Sequence, residues 1–165
     1  MDSIFPVQQE IRRFRAQLSD PVATALSPVA DSRELLVRQF LTALEARDST
    51  ALKSLVLSTA EFIDLYYPST PYTRPPYRQN PAFVWFLIQQ NSQKGISRAM
   101  DRFGGRPLRY QGSECKPEEP QGNNRFWSCA VRIEPATGQP GSIRLFGSIM
   151  ERAGRYKFVS YANDL

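Results

Sequence analysis

Residues 125–134 read RFWSCAVRIE and residues 142–152 read SIRLFGSIMER. In the first stretch Trp127, Cys129, Val131 and Ile133 alternate with Phe126, Ser128, Ala130 and Arg132. In the second, Ile143, Leu145, Gly147 and Ile149 alternate with Arg144, Phe146, Ser148 and Met150. A period of two is the mark of a strand, because successive side chains leave a strand on opposite faces. Ala153-Gly154 supplies a tight turn,. Residues 155–162 then return with Tyr156 and Phe158 on one face and Val159 and Tyr161 on the other. Upstream, Leu108, Tyr110 and Gly112 alternate with Arg109, Gln111 and Ser113. The stretches between, 116–124 and 135–141, are loop-like in composition. The C-terminal part is therefore expected to be an antiparallel meander of about four strands.

Working backwards from Gly104-Gly105, the period becomes helical. Asn80 and Pro81 suit an N-cap and a first helical residue. The helix they open carries Phe83, Val84, Trp85, Phe86, Leu87 and Ile88, apolar nearly all round, so that end is expected to be deeply buried,. Asp31 with Glu34, and Ser58 with Glu61, fit capping boxes. The first opens a helix with Leu36, Val37, Phe40, Leu41 and Leu44 on one face. Asp48 or Ser49 caps a second, carrying Leu52, Leu55 and Val56. Residues 67–81, YPSTPYTRPPYRQNP, hold five prolines and three tyrosines and read as a long loop,. Residues 6–18 form an amphipathic helix with Val7, Ile11, Phe14 and Leu18 in one stripe. Residues 19–30 read as a linker. The organisation is a helix and linker over 1–30 and a main domain over 31–165. Helices first and strands after them mean an α+β fold, with helices on one face of the sheet. The other sheet face also carries large apolar residues, which suggests a homodimer through it.

Composition narrows the chemistry. The chain has 165 residues and no histidine. This removes Ser-His-Asp and Cys-His catalysis and His-ligated zinc. Two cysteines cannot build a four-cysteine metal site, and no cofactor or metal is expected. Cys115 and Cys129 fit two readings: buried thiols, or one disulfide between neighbouring strands. The second implies an exported, periplasmic or cell-surface domain trimmed of its leader, with a cytoplasmic origin left open. The longest apolar run, residues 82–88, is seven residues, too short to span a bilayer,. The net charge is +5, and the basic residues are 17 Arg against 4 Lys. Between Pro71 and Tyr110 seven basic residues face one acid, Asp101. No nucleic-acid motif accompanies them, and no nucleic-acid partner is expected.

The order of elements, with the phrases SRELLVRQFLTALEARDSTALKSLV (32–56) and RLFGSIMERAGRYKFVSYANDL (144–165), resembles the nuclear transport factor 2-like superfamily. That resemblance covers residues 31–165. It implies a strongly curved sheet wrapped around the helices as a cone, a cystatin-like roll, with a pocket at its open end. It also implies either a ligand-binding or scaffold protein, or a small isomerase, cyclase or dehydratase using an Asp or Asp/His base with a Tyr or acidic donor. No histidine is present to match the second pattern.

The residues offer weak catalytic candidates in Asp64, Glu61 and Tyr66, with Glu114 a further acid. Asp64 reads either as a base at a pocket rim, beside the Tyr66 or Tyr67 hydroxyl, or as a solvent-facing acid. Tyr66, Tyr67, Trp85, Tyr110, Trp127 and Phe146 read either as the lining of a pocket for a small hydrophobic ligand or as core. Lys94, Arg98 and Arg102, at i, i+4 and i+8, read as an anion site or a solvated helix face. The tyrosine- and proline-rich loop reads as a lid or as a packed segment. The function expected is a non-catalytic small-molecule-binding or scaffold protein with a hydrophobic pocket between helices and sheet. The alternatives are an Asp–Tyr enzyme and an interaction module that dimerises through its sheet.

Overall fold

The computed structural model describes residues 6–135 and 141–165. The readings of the first five residues and of most of the 135–141 connection fall outside them. The chain is α+β. Helices α1 (Val7–Ala16), α2 (Arg33–Ala46), α3 (Ser49–Ser54), α4 (Thr59–Glu61) and α5 (Pro81–Phe103) precede strands β1 (Leu108–Pro117), β2 (Arg125–Pro135), β3 (Gly141–Ile143), β4 (Ile149–Arg152) and β5 (Arg155–Phe158). The sheet is antiparallel in the order β1-β2-β4-β5, with β3 also paired to β2. The single strand expected over 142–152 is interrupted: β3 meets β2 at 131–133, β4 meets it at 125–127, and the residues between are irregular. The register of β1 slips between Tyr110 and Gly112. Because that bulge adds a residue, Ser113 and Cys115 join Tyr110 on the same sheet face as their partners Val131, Cys129 and Ile133,.

Caps account for the helix starts. Asn80 accepts the Ala82 N–H ahead of Pro81, Asp48 accepts that of Ala51, and Ser58 with Glu61 makes a full capping box,. At α2 the cap is Ser32, which accepts from Leu35 N–H, and not Asp31. Ser32, one residue after Asp31, holds the extended cap conformation.

One sheet face meets α2, α3 and α5. Phe40, Phe146, Phe158 and Tyr161 fill that space, with ring centroids 4.5–5.5 Å apart. The opposite face at the β4–β5 end is also covered from within the chain. Phe126, Met150 and Val159 pack with Leu26, Leu57 and Leu65. The apolar argument for a homodimer through this face therefore falls away, since those side chains already have partners. Segment 19–30 supplies part of that cover. Leu26 is fully buried, its carbonyl accepts from Arg155, and the Ala30 carbonyl accepts from Tyr156 N–H. Helix α1 lays its stripe against Phe62, Ile63, Tyr67, Val84, Trp85 and Ile88.

Cys115 and Cys129 pair directly across β1 and β2 with their sulfurs 2.05 Å apart, a disulfide. Helix α5 touches the C-terminal segment backbone to backbone. A Cβ on Gly95 would stand 1.7 Å from the Tyr161 carbonyl oxygen. Tyr161 N–H donates to the Ser92 hydroxyl, and the Asn163 amide donates to the Gly95 carbonyl. In an exposed helix Gly→Ala stabilises by about 1 kcal/mol. Here the sign reverses: Gly95→Ala should destabilise by about 2–3 kcal/mol, since α5 must move off Tyr161. Urea denaturation checks this, and a midpoint at or above that of the parent would refute the backbone contact.

Candidate functional site

The acids nominated as catalytic are held by structural partners. Glu61 is 3% exposed, inside the second layer of packing. One of its carboxylate oxygens accepts from Lys157 Nζ at 2.7 Å and from Ser58 N–H at 2.9 Å; the other accepts from Ser27 N–H at 2.7 Å. Burial pushes its pKa up, but the Lys157 bond and the two backbone donors outweigh it and hold it below the usual carboxylate range,. Asp64 does not face solvent. Its carboxylate accepts from Ala23 N–H at 2.8 Å and pairs with Arg15 at 3.5 Å, with a side chain only 10% exposed. It pins both α1 and the segment after it. Glu114 lies out on β1, paired with Arg132 at 3.8 Å.

The six aromatic candidates do not converge. Phe146 is in the filled interior. Tyr110 and Trp127 lie under α2, whose Arg38 and Arg33 sit over their rings at 4.7 and 3.7 Å. Tyr66, Tyr67 and Trp85 do come together, around Phe62. Tyr67 is fully buried and donates to the Gln79 carbonyl at 2.6 Å, which closes the proline-rich loop as a packed segment. Lys94, Arg98 and Arg102 stand exposed along α5. Arg98 reaches the Asn163 carbonyl at 3.4 Å, and Arg102 sits over Phe103.

A cleft is built at Tyr66. This residue ends a π-helical turn (Phe62–Tyr66) that follows the Ser58–Glu61 capping box without a break. Its ring stands edge-on to Phe126, on the outer sheet face, at 5.9 Å. The connection 117–124 then folds over this turn. The buried Asn124 amide donates to the Leu65 carbonyl at 2.9 Å, and its oxygen accepts from Arg152 at 2.9 Å. Glu118 is fixed beside it by the Ser148 hydroxyl, whose single O–H lies 2.6 and 2.9 Å from its two carboxylate oxygens. Two adjoining hollows result, sharing Tyr66 and Gln121. One, about 150 Å³, is bounded by Glu118, Glu119, Phe126, Ser148 and Val159. The other, about 300 Å³, is bounded by Thr70, Pro71, Tyr72 and Tyr77. Gln121 Oε1 is buried there without a hydrogen-bond partner. Burial, with Tyr72 and Glu118 nearby, pushes the Tyr66 phenol up to about 12, so it remains a neutral hydroxyl,.

Tyr66 was legible in the sequence as a candidate. Gln121, Glu118 and Tyr72 were not, because the strand connection that carries the first two gives no local sign of where it docks. Wider grooves run between α3 and α5, past Leu52, Ser92 and Tyr161, and between α2 and α3. Neither groups aromatic rings with an unsatisfied polar atom. Among the described residues no group of His, Cys, Asp or Glu could hold a metal ion, and no helix is long and apolar enough to cross a membrane. No family model, curated protein or solved structure matches the chain.

Protonating Glu61 would remove the bonds that lower its pKa. The stability they confer is complete above the ordinary value of 4.5 and is lost as pH falls through the lower folded value,. Lys157→Met leaves the buried carboxylate without its cation and should cost about 3–5 kcal/mol; Glu61→Gln combined with Lys157→Met should recover most of that. Urea titrations at neutral pH measure both. A single variant within about 1 kcal/mol of the parent would show that the pair carries little.

Proposed function

We propose that this protein is a non-catalytic small-molecule-binding protein whose site is the cleft at Tyr66. The observation that carries the reading is Gln121, whose side-chain oxygen is buried without a hydrogen-bond partner and which borders the same hollow as Tyr66, Tyr72 and Tyr77. Unpaired buried acceptors cost free energy in the empty protein, and a ligand that donates to them regains it. The cleft offers carboxylate acceptors at Glu118 and Glu119 and the amide oxygen of Gln121, beside the hydroxyls of Tyr66, Tyr72 and Tyr77,. The ligand class that fits is a small, flat, hydrophobic molecule carrying a hydroxyl or amine donor.

The engagement of Glu61 and Asp64 by Lys157 and Arg15 favours binding over Asp–Tyr catalysis. Membership of the nuclear transport factor 2-like superfamily is part of the same proposal, supported by helices that precede an antiparallel sheet ending in an interrupted hairpin. An oxidising compartment outside the cytoplasm is part of it too, supported by the Cys115–Cys129 bond,.

Fluorescence titration with 2-naphthol, 1-naphthylmethylamine and unsubstituted naphthalene tests the site. Saturable binding of the two donor-bearing probes is expected, with Gln121→Leu and Tyr72→Ala each weakening it by about ten-fold, equivalent to about 1.4 kcal/mol. Absence of saturable binding, or affinities unchanged in both variants, would set the reading aside.

A further inference from the structure

The amino-terminal half of α5 is not buried on all sides, as its composition suggests. Val84, Ser92, Gly95, Ala99 and Phe103 face the interior, with Trp85 and Ile88 against α1. Phe83, Phe86 and Leu87 face outward, exposed by 51, 55 and 40%. Their spacing of three and four residues places them on one helical face. Two to three turns further along that face stand Lys94 and Arg98, both exposed. At the other end Arg13 of α1 borders the hollow beside Asn80 and Ala82, one turn before Phe86. The surrounding stretch, Pro71 to Tyr110, has seven basic residues against the one acid Asp101.

We propose that this face of α5 docks the protein on an anionic lipid bilayer, with Phe83, Phe86 and Leu87 entering the interface and Lys94 and Arg98 resting among the phosphates. Patch size and charge choose the occupant. Three half-exposed side chains present roughly 300 Å² of apolar surface. A standard protein interface needs about 800 Å² from each partner, so a second copy of the chain would be held by too little. A bilayer requires no matching patch: a few aromatic and aliphatic side chains insert at the headgroup boundary, and cations along the same face add attraction to anionic lipid. Arg, which dominates the basic residues 17 to 4, offers a planar fork that matches phosphate oxygens,. The patch lies apart from the Tyr66 cleft, so this proposal stands whether or not that cleft binds a ligand.

Flotation of the full chain with vesicles of phosphatidylcholine, alone or with phosphatidylserine, provides the test, with sedimentation velocity run on lipid-free protein. The expected result is binding to the mixed vesicles alone, weakened at least ten-fold by raising salt to about 0.5 M. Phe83→Ser with Phe86→Ser, and separately Lys94→Glu with Arg98→Glu, should each lower vesicle affinity by about ten-fold or more while leaving the circular-dichroism melt unchanged. Equal binding to neutral vesicles, no binding, or binding unaffected by either double variant would overturn the proposal. A lipid-free dimer abolished by Phe83→Ser with Phe86→Ser, without vesicle binding, would overturn it in favour of a second copy.

Discussion

The ion pair between Lys157 and Glu61 joins three parts of the chain at one point. Lys157 comes from β5, Glu61 from α4, Ser58 from the cap of α4, and Ser27 from the segment after α1. Two charges so little exposed are expensive to remove from water, and they persist because each oxygen of the carboxylate has a donor,. The geometric consequence is the second layer of the fold. With Ser27 held, Leu26 lies over Met150 and Val159, and the outer face of the sheet becomes interior at that end. With Ser58 and Glu61 held, the π-helical turn leaves α4 in a set direction and carries Tyr66 over Phe126. Asp64, bonded to Ala23 and Arg15, repeats the device one turn later and fixes α1.

The cleft and the apolar face of α5 depend on this layer in different ways. The cleft is formed by it: Tyr66 is one wall, and Gln121 reaches the site because Asn124 bonds to the Leu65 carbonyl of the same turn. The α5 face is what the layer leaves uncovered. Helix α1 takes the side of α5 bearing Trp85 and Ile88, the main core takes Ala99 and Phe103 further along, and Phe83, Phe86 and Leu87 are left half exposed. A helix can thus be apolar around its whole circumference and still be half exposed.

Much of the fold was readable because it depends on local rules. The caps at Asn80, Asp48 and Ser58 are short-range hydrogen bonds between neighbours in sequence, and the strand alternation around Trp127–Ile133 follows from pleating. Where two local solutions compete, the reading slips by one residue, as with Asp31 and Ser32 at α2. The bulge at Tyr110–Gly112 and the break between β3 and β4 were not readable, because each depends on which residues of β2 lie across from the strand and not on neighbours in sequence. Of the site, Tyr66 was named from its position before the loop. The roles of Glu61 and Asp64 were not readable, because their partners Lys157 and Arg15 lie 96 and 49 positions away.

The amino-acid sequence by itself determined the α+β class, the helix starts, the alternation of the strands and the absence of histidine chemistry, since each depends on residues within a turn or a strand of one another. Only the tertiary structure decided that Glu61 and Asp64 meet Lys157 and Arg15, that Cys115 faces Cys129, that the second sheet face is covered at its β4–β5 end by Leu26, Leu57 and Leu65, and that Phe83, Phe86 and Leu87 meet solvent. Burial and charge pairing are properties of whichever segments meet in space. Here those segments lie far apart along the chain.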